Sequence, residues 1–208
     1  MKTNIYVDGF NLYYGSLKGT PYKWLDIAKL CQLILTRDQI NHIKYFTALV
    51  SARPGDPDQP NRQQTYLRAL ATLPQFSIIK GTFLSHPALL PLAPQHQGQR
   101  RNKVWVLRTE EKGSDVNLAT HLLNDGYKRE YELAVLITND SDLVEPVRIV
   151  RSELGLPVGI LNPHKYPSVE LKRYATFIKQ IHKGFLKKSQ FPQTLTDKDG
   201  TFHKPPSW

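Results

Sequence analysis

The sequence has few of the residues and motifs that mark several large classes of protein. Cys31 is the only cysteine among 208 residues, which excludes an intrachain disulfide framework and a cysteine-based zinc site within one chain. No run of about eighteen apolar residues occurs, so we expect no membrane association, and the N-terminal stretch does not match a signal peptide. Neither a Walker motif nor a dinucleotide fingerprint is present. These absences favour a cytoplasmic protein that is not driven by nucleotide hydrolysis.

Acidic residues are also scarce relative to basic ones. The chain has 28 Lys and Arg against 18 Asp and Glu, a formal net charge of +10. No acidic residue occurs from Leu171 to Thr196, a stretch that carries six basic side chains: Lys172, Arg173, Lys179, Lys183, Lys187 and Lys188. A second basic cluster consists of Arg100, Arg101 and Lys103. This surplus is typical of a protein with a polyanionic partner, although a protein can also be basic without one.

The apolar pattern predicts strands alternating with helices. Strands are expected at residues 4–7, 43–50, 76–84, 104–107, 133–138, 157–161 and 176–178, and helices at 24–35, 61–73, 113–127, 143–154 and 168–174. Such alternation predicts an α/β fold with a mainly parallel sheet and helices on both faces. We expect one domain over residues 1–182, with a two-stranded excursion and a mobile loop near 80–107. Residues 183–208 are predicted to be a basic, proline-containing extended tail.

Four aspartates are predicted to meet at one edge of this sheet. Asp8 directly follows the first strand, and Asp140 and Asp142 follow the strand at 133–138. Asp115 lies in the first turn of the helix that leads into that strand, so its end of the helix lies at the same edge. Ligands of parallel α/β sheets bind beyond the carboxyl ends of the strands. The edge is therefore the expected place for chemistry.

Crowded carboxylates favour a bound cation, because without one they repel each other and some must stay protonated. Oxygen ligands suit Mg²⁺ or Mn²⁺, and such an ion activates water and offsets charge on a phosphodiester. An acidic pocket on a basic protein thus indicates metal-dependent hydrolysis of nucleic acid. Each motif alone also has a structural interpretation: a turn at Asp8-Gly9, a helix cap at Ser114 or Asp115, and a helix start at Asp140.

Three motifs resemble those of the NYN domain, a branch of the PIN-like nuclease superfamily. They occur in the family's order and are Val7-Asp8-Gly9-Phe10-Asn11-Leu12, Lys112-Gly113-Ser114-Asp115-Val116 and Thr138-Asn139-Asp140-Ser141-Asp142-Leu143. The resemblance implies a Rossmann-like (PIN-like) three-layer fold with a central sheet of order 3-2-1-4-5. It also implies a Mg²⁺- or Mn²⁺-dependent ribonuclease, an endonuclease that hydrolyses RNA with metal-activated water.

The resemblance further implies roles for individual residues. The metal would be held by aspartates, namely Asp8, Asp115, Asp140 and, directly or through water, Asp142. Asn11 would orient Asp8 or touch a phosphate, and Lys112 would meet a substrate phosphate. Other candidate substrate contacts are Asn139, Ser141, Arg100, Arg101, Lys103, Lys172 and Arg173.

Two departures from the family pattern motivate a second hypothesis. Asn139 stands where a glycine usually precedes the first aspartate of the third motif, although Asn also tolerates left-handed backbone. Many PIN-like nucleases carry another acid in mid-chain, and Asp56 and Asp58 on a proline-rich loop are poor matches for it. The alternative is therefore a catalytically weak or inactive RNA-binding or regulatory module. A small-molecule phosphatase is disfavoured, because Phe10 stands where such a site needs a second aspartate.

The expected partner is RNA, either single-stranded or structured. The excursion at 86–102 and the C-terminal tail also leave room for docking of a protein partner, including a second copy of the chain as a homo-oligomer. The sequence does not distinguish RNA from DNA, or cleavage within a strand from cleavage at an end.

Overall fold

A seven-stranded sheet forms the centre of the computed structural model, which describes residues 1–53, 55–92 and 102–208. Its strands are β1 (Lys2–Asp8), β2 (Gln39–Ala48), β3 (Phe76–Pro91), β4 (Lys103–Lys112), β5 (Leu133–Ile137), β6 (Val158–Asn162) and β7 (Phe177–Gln180). The spatial order is β4-β3-β2-β1-β5-β6-β7. Neighbours pair in parallel, apart from β4, which is antiparallel to β3. Among the described residues, no helix is both long and apolar enough to cross a membrane.

The predicted α/β fold with three layers is confirmed. When antiparallel β4 is left out of the numbering, the order 3-2-1-4-5 corresponds to β3-β2-β1-β5-β6. Two edge strands, β4 and β7, extend this arrangement to seven strands. The sheet order therefore differs from the expectation only at its two edges.

Helices cover both faces of the sheet. They are α1 (Gly9–Leu12), α2 (Ile27–Ile34), α3 (Gln59–Leu70), α4 (Ser114–Tyr127), α5 (Val144–Ser152), α6 (Val169–Tyr174) and α7 (Lys183–Lys188), with a π-helical turn at Tyr13–Leu17 after α1. Successive residues of β1 point to opposite faces, as a pleated strand requires. Ile5 and Val7 pack in the core with α2 and α3, whereas Tyr6 packs in the core with α4 and α5.

The excursion consists of an antiparallel hairpin that is longer than the sequence indicates. Its pairs run from Thr82 with Lys112 to Pro91 with Lys103. The second strand thus continues five residues past Leu107, the end expected from the pattern, and returns the chain to the carboxyl edge of the sheet. The tip, which includes Arg100 and Arg101, lies outside the described residues.

The expectation of an extended tail at 183–208 is wrong. This C-terminal segment forms α7 and a second hairpin of strands β8 (Thr194–Asp197) and β9 (Gly200–His203). Its apolar side chains, Leu186, Phe191 and Phe202, are buried in the core beside α2 and α3. These three residues are too widely spaced to give a periodic pattern, and their apolar contacts form only in the tertiary structure. Trp24 secures the segment further by donating a 2.7 Å hydrogen bond to the carbonyl of Pro192.

Candidate metal centre

Three of the predicted aspartates converge at the carboxyl edge of the sheet. Asp8 ends β1, Asp140 follows β5, and Asp115 lies in the first turn of α4. Each contributes a carboxylate oxygen, and these three oxygens lie within 4.8 Å of one another. The parallel pairing of Val7 with Ile137 sets the first two side by side. The return of the chain along β4 brings Asp115 to the same edge.

Asp8 is held in a fixed orientation although it is only 6% exposed. Its Oδ1 accepts a hydrogen bond of 2.9 Å from the Asn11 N–H, and its Oδ2 accepts one of 3.1 Å from the Thr138 hydroxyl. Burial raises the pKa of Asp8 to about 7, and the charges of Asp115 and Asp140 act in the same direction. The two hydrogen bonds oppose this rise. In the absence of a cation, Asp8 therefore titrates near neutral pH.

Asp140 and Asp142 lie on a tight turn that precedes α5. The Asp140 N–H donates to the Thr138 hydroxyl at 3.1 Å, and Asp140 Oδ1 accepts from the Asp142 N–H at 3.0 Å. Residues Ser141–Leu143 form a 3₁₀ turn, so α5 starts only at Val144 and Pro146 falls in its first turn, where it is tolerated. Asp142 is exposed and does not belong to the group of three oxygens.

Glu111 is a further acid at this edge that the sequence analysis missed. It lies near the end of β4, lines the same cavity as the three aspartates, and accepts a 3.0 Å hydrogen bond from the Ser114 N–H. Burial raises the pKa of Asp115, and the charges of Asp140, Glu111 and Asp142 contribute in that order. The sequence carries no apolar pattern for this end of the strand, because residues 108–112 are all polar and the apolar run ends at Leu107.

Two asparagines predicted to contact substrate are engaged with the protein itself. The Asn139 N–H donates to Asn11 Oδ1 at 2.9 Å, which ties the loop after β5 to α1. The Asn139 side chain donates to the carbonyl of Tyr166 and accepts from the Ser168 N–H, at 3.0 and 2.6 Å. Both side chains thus fix the loops that carry the aspartates, and any substrate contact by them stays a prediction.

The four basic candidates that the structure describes are exposed and are not gathered at the aspartates. Lys112 is at the end of β4 and forms an ion pair of 2.9 Å with Glu110. Lys103 lies at the opposite end of the same strand, and Ser141 is exposed on the 3₁₀ turn. Lys172 and Arg173 are exposed in the last turn of α6. None of these five residues lines the cavity beside the aspartates.

That cavity has a volume of about 420 Å³ and opens directly onto Asp8, Asp115 and Asp140. Much of its wall is aromatic, and the rings belong to Phe10, Tyr13, Tyr14, Tyr45, Tyr66, Phe83 and Trp208. Cationic side chains also reach it, namely Lys23, Arg53 and Arg62. Arg62 is paired with Asp56, which also lines the cavity, so the acids outnumber the remaining cations. Such a lining suits a ligand that has an aromatic ring, and an anionic group on that ligand would need a bound cation to offset the carboxylates.

The donor set fits a hard divalent cation. Three carboxylate oxygens from three separate elements approach one another closely, and no thiol or imidazole belongs to this described group. Burial and, to a smaller extent, the neighbouring carboxylates raise the pKa of Asp8, and a bound cation would lower it again. All-oxygen sites of this kind suit Mg²⁺ or Mn²⁺.

Comparison with known proteins agrees with the three motifs. The chain is 31% identical over 240 residues to 6-hydroxy-3-succinoylpyridine 3-monooxygenase HspA of Pseudomonas putida, a match that covers all of this chain and 75% of that protein. A crystal structure of a protein of unknown function from Vibrio parahaemolyticus superimposes with a TM-score of 0.57 at 17% identity, covering 88% of this chain and 93% of that one. The similarity to the Vibrio parahaemolyticus protein shows a shared fold only. The model of the NYN domain matches residues 2–182, and the chain therefore belongs to the NYN domain family.

Proposed function

We propose that this chain hydrolyses phosphodiester bonds of RNA with a divalent cation held by Asp8, Asp115 and Asp140. The observation that carries the proposal is the approach of their three carboxylate oxygens to within 4.8 Å of one another. Membership of the NYN family and a net charge of +10 support it. A positive surface recruits a polyanionic strand, and the acidic edge supplies the reacting centre.

Bound at this edge, Mg²⁺ or Mn²⁺ would act as a Lewis acid that lowers the pKa of an attacking water and offsets charge on the phosphodiester. The chain's own residues provide orientation. The Asn11 N–H and the Thr138 hydroxyl hold Asp8 in place, so that its carboxylate would face the cation. Asp142, next to this group on the 3₁₀ turn, would contact the cation through water.

The substrate contacts follow from charge and position. Lys112 and Ser141 lie next to Glu111 and Asp140 in the chain and would meet the phosphates nearest the reacting bond. Lys103, Lys172 and Arg173, all exposed, would contact the strand farther away. Cleavage within the strand, a cytoplasmic location and a homo-oligomer remain predictions of this proposal.

A cleavage assay on end-labelled single-stranded RNA tests the proposal, with Mg²⁺, Mn²⁺ or a chelator present. We expect metal-dependent products from the wild type and a loss of at least about a hundredfold in Asp8→Asn and Asp140→Asn. Asp199→Asn, on the exposed turn between β8 and β9, is the matched control. Undiminished cleavage by both site variants would overturn the proposal. Salt-sensitive binding without any cleavage would instead support the inactive RNA-binding module.

The cavity favours a second candidate function, the binding of a small aromatic acid. Its volume lies in the range of small-molecule sites, and one relative carries the name of a 6-hydroxy-3-succinoylpyridine monooxygenase. Calorimetric titration of 6-hydroxy-3-succinoylpyridine into the full chain tests this candidate. Saturable binding at one site that Tyr14→Ala weakens would support it, and the absence of binding would dismiss it.

A further inference from the structure

The aromatic wall of the cavity is built in part from outside the matched family domain. Trp208 lines the cavity and lies beyond residue 182, where the match to the NYN domain ends. Its ring meets Tyr66 edge-on with centroids 5.6 Å apart, and it meets Trp24 at 6.5 Å. The C-terminal segment thus completes a binding surface whose other end is the carboxylate group.

The C-terminal segment is anchored firmly enough to shape this site. Arg68 of α3 donates two hydrogen bonds, of 2.7 and 2.6 Å, to the Asp197 carboxylate. The guanidinium of Arg68 also lies over the Phe202 ring, 4.2 Å from its centroid. A bidentate pair of this kind fixes direction as well as distance. These contacts hold the β8–β9 hairpin against α3, and Trp208 itself packs on Tyr66 and Trp24.

The cavity is also lined by an exposed ring that has the Lys18 ammonium over it, 4.9 Å from the centroid. Tyr14 is 53% exposed and lines the cavity, with its ring edge-on to Tyr13 at 5.3 Å. Near the carboxylates, buried Tyr45 packs its hydroxyl against Gly9, where a Cβ would lie 2.6 Å from that oxygen. Burial raises the pKa of Tyr45, and the negative charge of Asp8 acts in the same direction. The wall thus supplies both an aromatic face and a hydroxyl.

We infer that the cavity takes one unpaired nucleotide of the RNA, with its base against Tyr14 and Trp208 and its phosphate toward the carboxylates. This inference rests on the proposed function. A volume of about 420 Å³ suits one nucleotide, and bases stack on aromatic side chains irrespective of sequence. A paired base is stacked on both faces and cannot enter unless it leaves the helix. The site therefore selects single-stranded ends or flipped-out nucleotides.

Calorimetry with adenosine 5′-monophosphate and ribose 5-phosphate on the full chain, with Mn²⁺ present to offset the carboxylates, tests the inference without any cleavage. The two ligands carry the same phosphate, but only the first has a base. We expect saturable binding of the nucleotide and an affinity for the sugar phosphate at least about tenfold lower. Equal affinity for the two, or binding of neither, would overturn the inference.

Substitution of the stacking rings locates the bound base. Tyr14→Ala is expected to weaken nucleotide binding by about 5- to 100-fold, because one stacking partner is lost. Tyr127→Ala is the matched control, since Tyr127 is 63% exposed at the end of α4 and does not line the cavity. Unchanged affinity in Tyr14→Ala would overturn the inference.

Trp208→Ala tests the contribution of the C-terminal segment, with Trp105→Ala as its control because Trp105 is exposed on β4 outside the cavity. We expect only Trp208→Ala to weaken binding, with circular dichroism confirming that both variants are folded. Equal effects of the two substitutions would remove Trp208 from the site. If Trp208→Ala does not fold, Tyr14→Ala decides the inference.

A blunt RNA duplex and the same duplex with a single-stranded overhang separate this inference from the proposed function. We expect the wild type to bind and cleave the overhang, and Asp140→Asn to bind it without cleavage. Selective binding of the overhang with no cleavage by the wild type would refute the hydrolase and support the nucleotide site. Equal binding and cleavage of both substrates would refute the nucleotide site and support the hydrolase.

Discussion

The unfavourable electrostatic energy of the metal-free site falls mainly on one side chain, Asp8. Its carboxylate is almost fully buried, accepts two hydrogen bonds and faces two other aspartates. Burial raises its pKa to about 7, which shows that the hydrogen bonds do not offset the loss of water. Sites that carry such unfavourable charge are typical of function and not of stability.

Asp8→Asn is therefore expected to stabilise the metal-free protein. The folded state keeps its proton on Asp8 up to about pH 7, whereas the unfolded chain releases it near pH 4, so this carboxyl lowers stability as pH rises through that window. We expect a gain of roughly 2 to 4 kcal/mol in the free energy of unfolding at pH 8. Little gain should remain at pH 4. Thermal or urea unfolding with a chelator present measures the difference.

The control for that comparison is Asp142→Asn, because Asp142 is exposed and lies outside the group of three oxygens. Its substitution should leave the unfolding free energy of the metal-free protein within about 0.5 kcal/mol of the wild type. A destabilised Asp8→Asn protein at pH 8 would contradict the electrostatic account of the site.

Glu111 is predicted to assist in holding the cation. Glu111→Gln keeps an acceptor for the Ser114 N–H but removes a charge that acts on Asp115. We expect Mn²⁺ affinity, measured by calorimetry, to fall about tenfold or more, as for other outer groups of metal sites. Glu110→Gln is the matched control, since Glu110 is the preceding residue of β4 and pairs with Lys112. Equal losses in the two variants would refute a specific role.

Individual positions were predictable where they follow from topology. Asp8, Asp115 and Asp140 come together because the ends of parallel strands and the start of a returning helix share one edge. Glu111 escaped prediction because the end of β4 depends on its pairing with β3, which no local pattern reveals. Four aromatic residues around the cavity escaped for a similar reason, since each lies in a different segment of the chain: Tyr45, Tyr66, Phe83 and Trp208.

At the scale of elements, the turn at the start of α4 determines where Asp115 lies relative to the sheet. Gly113 has φ of 95°, a left-handed conformation that costs other residues about 1 kcal/mol or more. Gly81 of β3 lies so close that a Cβ there would be 2.5 Å from the carbonyl of Lys112. The two glycines let β4 turn sharply into α4 against β3, and this turn brings Asp115 to the carboxyl edge.

Removal of residues 183–208 is predicted to destabilise the protein strongly. Leu186, Phe191 and Phe202 leave the core, and each large apolar side chain contributes about 1.5 to 3 kcal/mol. We expect the melting temperature to fall by at least about 10 °C, measured by circular dichroism. Lys187→Ala, an exposed position on α7, should leave the melting temperature unchanged. A truncated protein as stable as the wild type would mean that the segment does not pack as described.

The strongly periodic elements were predictable, whereas the C-terminal segment was not. The strands β5 and β6 and the helix α4 can be recognised from the sequence alone, because burial on one or both faces leaves a clear spacing of apolar residues. In the C-terminal segment, single apolar residues stand between polar ones and prolines. Its hairpin and α7 depend on contacts with α2 and α3, and a local pattern contains no information about such contacts.

At the scale of the whole molecule, a net charge of +10 predicts RNA binding that depends steeply on salt. Each phosphate that a Lys or Arg neutralises releases a counterion, so affinity falls as salt rises. We expect the affinity of Asp140→Asn for single-stranded RNA to fall at least about tenfold between about 50 and about 200 mM salt. Fluorescence anisotropy measures this dependence. An affinity independent of salt would contradict recruitment by charge.

The rate of cleavage of labelled single-stranded RNA against Mn²⁺ concentration tests the central claim most directly. The account predicts a rate that rises and saturates with Mn²⁺ in the wild type, returns to background with a chelator, and stays at background in Asp140→Asn. Cleavage that persists in the chelator and in Asp140→Asn would contradict the claim that the three aspartates form a metal-dependent hydrolytic site.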